Sequence, residues 1–391
     1  MSNSFKTFLK HTAKDFHNQS VNPPVVRAST IIFKSMKDIR KTQAKAIKNP
    51  TGGHYDYGRQ GTSTTYILQK ILTKLEESYH VFTTPTGFGA VFLAIFSVTR
   101  PGDEIIVADP VYSPTRILTE NFLKEFNIKT TFYDPHDLKT LEKSITKKTK
   151  LIFVENPGSN SFDFQDLGKI VSIAKKHKIL TVMDNTWGTP YFLKPIKLGF
   201  DMAIVSATKY YSGHSDVMGG SLAVNKKVFP KVKAAEIITG LRLGPDDAYL
   251  ITRGLRTLDV RLDRHRENAK KVAEFLSKNK KFKLLYPYKK DSYNFRMWKK
   301  YYSGASGLMG VQIKSKNVNS IRKFVNSLKL FGYGYSWGGF ESLALHQEFR
   351  ETGKRKYLKL KKDEHLVRFH IGLEDPSDLI ADIKQALKGL K

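Results

Sequence analysis

Apolar residues fall into two kinds of pattern along the chain. From Ser63 onward Leu68, Ile71, Leu72, Leu75 and Tyr79 recur at helical spacing, and TTPTGFGAVFLAIFSV follows as a glycine turn opening an apolar helix. The pattern then shortens. EIIVAD (104–109), LIFVEN (151–156), ILTVMD (179–184), MAIVSA (202–207) and SLAVN (221–225) are brief β-branched runs, and Leu167, Ile170, Val171 and Ala174 mark an amphipathic helix between two of them. Strands alternating with helices predict a mainly parallel sheet covered on both faces. Near Arg253 the spacing changes again: Leu258, Leu262, His265, Ala269, Val272 and Leu276 repeat by fours and threes along one long helix. GLMGVQI and LVRFHIGL read as late strands, and DPSDLIADIKQALKGL as a closing helix capped by Asp375 with Pro376 in its first turn.

Three segments follow from this pattern. Residues 1–60 hold turn signals (NPP, NPTGG) and one modest apolar run, so they form an arm; residues 61–255 form a large α/β domain, and 256–391 a smaller α+β domain. A chain of 391 residues is long enough for this division. No apolar run approaches the roughly 20 residues of a membrane span, and the N-terminal residues lack a secretory apolar block, so a cytoplasmic protein is expected.

Composition narrows the chemistry. The absence of cysteine removes disulfides, thiolate metal sites and a thiol nucleophile, and no metal site is expected. Lys and Arg number 66 against 36 Asp and Glu, a net charge of +30. That charge raises a rival reading, a non-catalytic basic binding protein. The lysines are spread singly or in pairs without a basic arm or motif, so a solvated surface is the simpler reading and no nucleic-acid partner is expected.

One stretch carries reactive residues. In VSATKYYSGHSD, Lys209 lies just past an apolar strand, at the edge of a parallel sheet where functional groups collect. It is either a lysine whose stem snorkels from a strand end or an amine for a carbonyl cofactor, with the Ser206 and Thr208 hydroxyls placed for a phosphate. Asp184 in VMDNTW ends another strand and suits a buried carboxylate beside a protonated ring nitrogen. TGFGA opens a helix whose free N–H groups suit an anion.

YDYGRQGTSTT, DPVYSPTR, VMDNTW, SATKYYSGHSD, ITRGLRTLDVRL, YSWGGFESL and RFHIGLED together resemble the transsulfuration group of fold-type I pyridoxal 5′-phosphate (PLP) enzymes, on the cystathionine β-lyase branch. The resemblance runs from NPPVVRAST to IGLEDPSDLIADI. It implies an aspartate aminotransferase-like fold with PLP as cofactor. It implies that Lys209 is the Schiff-base lysine and moves protons, that Asp184 partners the pyridine nitrogen, and that Tyr112 stacks on the ring and assists catalysis. Gly87 and Phe88 would bind the phosphate through their N–H groups, helped by Ser206 and Thr208. Tyr57 and Arg59 resemble the pair reaching a neighbouring subunit's phosphate, Tyr57 also meeting substrate there, which gives the arm a purpose. Arg368 would grip the substrate α-carboxylate, with Ser336 and Trp337 beside it.

Trp337 stands where γ-acting relatives carry a smaller residue. The implied reaction is therefore β-cleavage of L-cystathionine to homocysteine, pyruvate and ammonia, in methionine biosynthesis. The alternatives are a γ-lyase or a broad cysteine-S-conjugate β-lyase, with alanine racemase as a side activity. A homotetramer built from dimers that share active sites is also implied. Two departures stand out: ENPGSN replaces the common ESPTNP and puts Ser159 where many relatives have asparagine, and Phe88 occupies a position often held by methionine or a small residue.

Overall fold

The computed structural model describes residues 4–12, 19–287, 290, 292–347, 355–357 and 360–390. Seven strands form a mixed sheet: β1 (His80–Thr84), β2 (Glu104–Ala108), β3 (Lys129–Tyr133), β4 (Thr149–Glu155), β5 (Leu180–Asp184), β6 (Met202–Val205) and β7 (Gly220–Val224), in the order β1-β7-β6-β5-β4-β2-β3. The five strands β3, β2, β4, β5 and β6 run parallel, and β7 pairs antiparallel with both neighbours. Four further strands, β8 (Phe282–Leu285), β9 (Leu308–Lys314), β10 (Leu343–Gln347) and β11 (Glu364–His370), make an antiparallel sheet ordered β10-β11-β9-β8.

Alternation along the strands explains how the large sheet is covered. Ile106, Ile152, Met183 and Ala203 join one apolar cluster, with Leu68 and Leu72 from helix Ser63–Glu76 and Ile170 from helix Leu167–Lys176. Their neighbours Ile105, Val107, Leu151, Phe153, Val182 and Met202 turn to the opposite face and join Val91, Leu93 and Ala94 of helix Gly87–Val98. Both faces are therefore dry, as a parallel sheet requires. The smaller sheet differs. Met309, Val311, Ile313, Val367 and Phe369 pack on Val272, Phe324, Leu379 and Ile383 from three helices, so its second face is left for other work.

The β-branched runs become β2, β4, β5, β6 and β7 within two residues of their expected ends, and the long helix runs Leu258–Ser277. Asp375 caps the last long helix, its side chain accepting from Ser377 N at 2.8 Å. Tyr79 does not continue the first stripe. The helix stops at Glu76, Glu77 turns left-handed (φ 49°), and the Tyr79 ring packs on Phe229 instead. Helix Met36–Lys48 was not anticipated, because its sequence has no core-facing stripe and it buries no residue.

The segment after β6 is locked from below. Arg261 donates to Tyr210 O at 2.8 Å and Gly254 O at 2.7 Å, and a Cβ at Gly254 would lie 2.3 Å from Ser212 O. Gly254→Ala should cost stability: overpacking of about 1–3 kcal/mol outweighs a helix-propensity gain of roughly 1 kcal/mol. An unchanged or raised denaturation midpoint would show that the segment yields freely.

Candidate active site

A cleft of about 440 Å3 opens at the carboxyl edge of the parallel strands, and the second face of the smaller sheet closes its other side. Each element delivers a polar group there because its apolar run ends there. Strand β5 ends in Asp184 and β4 in Glu155, paired in register. Lys209 follows β6 by one tight turn, its N–H donating to Ser206 O at 3.1 Å. Thr208 Oγ1 exchanges hydrogen bonds with Gly219 (3.2 Å to its oxygen, 3.0 Å from its nitrogen), which pins the turn to the start of β7.

Lys209 Nζ donates to Ser336 Oγ at 2.5 Å and sits 5.4 Å from the centre of the Trp337 ring. Burial, and then the Arg368 guanidinium, push its pKa down to about 8, with Asp184 pulling the other way. An amine in this state is a usable nucleophile and base near neutral pH. The loop holding Ser336 is shaped for this approach. Ser336 has φ 82° and Gly338 φ 89°, and a Cβ on Gly338 would meet the Lys209 Cα at 3.0 Å. Arg368 on β11 donates through Nη2 to Ser336 O at 3.0 Å, so one residue contacts both cations.

Asp184 is buried, which raises its carboxyl pKa. Two Thr186 donors at 2.6 and 2.9 Å oppose that rise, as does Lys209. Glu155 is raised much further, by burial first and then by Asp184 beside it, although it accepts Tyr112 N–H at 2.6 Å. Two adjacent buried carboxyls disfavour double ionisation. Glu155 is pushed further from the ordinary carboxylate range than Asp184, which has more donors and the nearby amine.

Helix Gly87–Val98 aims its N-terminus at the same space. Thr86 caps it by accepting from Gly89 N at 2.9 Å, and the earlier N–H groups have no intrahelical acceptor. A Cβ at Gly87 would strike Ser206 Oγ at 2.4 Å, so glycine is what lets this helix end reach the hydroxyl. Helix end, Ser206 and Thr208 together make an anion corner.

Of the residues singled out in the sequence, Lys209, Asp184, Tyr112, Gly87, Phe88, Ser206, Thr208, Ser336, Trp337 and Arg368 all line this cleft. Tyr57 and Arg59 do not: Tyr57 is exposed and bridges to Thr30, and Arg59 donates to Ile237 O at 3.0 Å. Ser159 also lines the cleft. Glu155, Thr186, Asn160 and Gln347 are cleft residues that the sequence reading missed. Glu155 had a signal, since it ends a parallel strand next to the one ended by Asp184. Gln347 had none, because its position depends on the pairing of β10 with β11.

Among the described residues no helix is long and apolar enough to cross a membrane. The chain is 36% identical to a cystathionine beta-lyase of Bordetella avium, over 94% of this chain and 92% of the relative. It is 35% identical to an L-alanine/L-glutamate racemase of Wolbachia pipientis, over 95% and 93%. The crystal structure of metB from Corynebacterium glutamicum superposes with a TM-score of 0.91 at 30% identity, over 100% of this chain and 99% of that one. Residues 6–388 match the Cys/Met metabolism PLP-dependent enzymes. With a buried amine, a strand-end carboxylate and an anion corner in one cleft of a fold-type I chain, the protein belongs to that PLP-dependent family.

Proposed function

We propose that the protein is a carbon–sulfur β-lyase that cleaves L-cystathionine to homocysteine, pyruvate and ammonia, a step of methionine biosynthesis in the cytoplasm. The observation that carries this reading is Lys209, part-buried in the cleft with its Nζ on Ser336 Oγ and beside the Trp337 ring, among Arg368 and Asp184. The residues fit PLP: an amine for its aldehyde, the Asp184 carboxylate for a protonated ring nitrogen, and the corner of Gly87, Phe88, Ser206 and Thr208 for its phosphate. When bound, PLP supplies an electron sink for charge developing at the substrate Cα.

The protein's own residues do the rest. Arg368 takes the α-carboxylate as a charge-assisted pair and so fixes the Cα position relative to Lys209. The Lys209 amine removes the Cα proton, and Ser336 Oγ holds that amine in place. Lys209 or Tyr112 returns a proton to the departing sulfur, and the released aminoacrylate hydrolyses to pyruvate and ammonia. Tyr112 is positioned through its backbone by Glu155. Trp337 packs on Tyr210 with ring centres 5.5 Å apart while also lining the cleft, so it combines a core contact with a wall that shortens the pocket. A short pocket favours cleavage at Cβ over Cγ.

The arm and the exposed apolar side chains support a tetramer of paired dimers. Ile32, Ile47 and Ile238 are 90%, 82% and 79% exposed and line no part of the cleft, and Tyr57 and Arg59 contact Thr30 and Ile237 rather than the cleft of their own subunit. Phe96, Phe122 and Phe126 form a second apolar patch. Such surfaces are normally covered in an assembly. In this reading Tyr57 and Arg59 complete a neighbour's site. The small-molecule partner is an amino acid. A second activity, alanine racemisation with Lys209 and Tyr112 as the two proton carriers, is favoured by the racemase relative.

Purified protein given cystathionine is expected to form pyruvate and homocysteine, and Lys209→Ala to lose turnover together with the visible cofactor band. Cysteine and 2-oxobutyrate as products would instead mean cleavage at Cγ. Supplying L-alanine in the same assay tests racemisation, and absence of D-alanine ends that second reading. Sedimentation should give a tetramer; a 44.5 kDa monomer as sole species would refute the shared-site arrangement.

The Lys209 pKa gives a pH dependence. Only the neutral amine attacks an aldehyde, and the neutral fraction grows as pH rises through the pKa. PLP capture by the cofactor-free protein should therefore accelerate from pH 6 and level off above about 8. A rate that keeps climbing tenfold per pH unit toward the ordinary lysine value of 10.5 would show an unperturbed amine.

A further inference from the structure

We infer that Gln347, oriented by Asn160, is a second carboxylate-binding group of the cleft, beside Arg368, and that it selects substrates with a free α-carboxylate. The inference rests on the amino-acid reading of the site given above.

Register places the two groups together. On the paired strands β10 and β11, Leu345 faces Arg368 and Gln347 faces Leu366. Side chains two residues apart on a strand share a face, so Gln347 and Arg368 stand one diagonal step apart. Diagonal neighbours are about 7–8 Å apart, within reach of long side chains. This is the face that the helices leave uncovered, and both residues line the cleft. Across β11 from Leu345, Arg368 faces Gly310, where a Cβ would lie 2.7 Å from the Phe162 ring. The missing side chain lets Phe162 close in and dry this corner.

The state of the Gln347 amide points to a ligand. Gln347 is only 4% exposed, and its Oε1 accepts from Asn160 Nδ2 at 3.3 Å. Its Nε2 is buried with no hydrogen-bond partner among the described residues. A buried donor left unpaired is costly, so the site is built for an acceptor that arrives from outside. The adjacent guanidinium requires that acceptor to carry negative charge. A carboxylate meets both demands, with one oxygen for Arg368 and the other for Gln347. The amide adds no second cation, so it reads the shape of the group rather than its charge.

Gln347→Glu is the discriminating variant. It keeps the oxygen that accepts from Asn160 and turns the unpartnered donor into an acceptor. Dissociation constants of L-alanine and L-alaninamide are measured on the holoenzyme from the change in cofactor absorbance. L-Alanine should bind about ten-fold or more weakly to the variant, and alaninamide within about two-fold of wild type. Gln347→Leu should weaken L-alanine by a smaller factor, since it removes the donor without adding repulsion. Equal weakening of both ligands would mean a structural role, and no weakening of either would mean no role; each outcome overturns the inference. Failure of the lyase reading looks different, since cystathionine would then go uncleaved while the two alanine ligands still separate.

Discussion

The site depends on an unfavourable burial. Lys209 is taken out of water with a neutral hydroxyl as its hydrogen-bond partner and a guanidinium as its nearest strong field. Placing a full charge there is expensive, so the protein lowers the affinity of the amine for its proton. Everything around the lysine is arranged to sustain this. The turn after β6 is fastened to β7 through Thr208, Arg261 holds the carbonyls just beyond it, and the left-handed loop at Ser336–Gly338 presses on the lysine backbone. A snorkelling lysine would have carried its ammonium outward to solvent; here the stem leads inward to the cleft.

The two carboxyls at the strand ends divide the work. Glu155 and Asp184 are register partners, so they cannot both be ionised at low cost, and their hydrogen bonds differ. Asp184 accepts from a hydroxyl and a backbone N–H and has the amine nearby, whereas Glu155 has one backbone donor. Asp184 is thus the better placed of the two to carry charge, and Glu155 braces the backbone of Tyr112. The sheet supplies both from the same edge.

Much of this was legible in the sequence, and the reason is local. Strand ends show in β-branched runs, so Asp184 and Lys209 could be placed at a sheet edge without any partner known, and the glycine turn of TGFGA marks a helix end as one candidate anion site among several signals. The unread parts depend on pairing between distant segments. HVFTT becomes β1 because β7 returns beside it, and nothing in five residues announces that. Gln347 became a cleft residue through the β10–β11 register.

The meeting of Gly87 with Ser206 has a consequence for how the molecule holds together. The strands β6 and β7 are neighbours in sequence and can pair early, but β1 joins them only across about 140 residues, and such distant contacts are costly to close. The corner between helix end and hydroxyl forms only when that edge of the sheet is complete. A ligand touching both sides therefore acts as a clasp on the last seam, and its binding free energy adds to the stability of the whole fold by mass action.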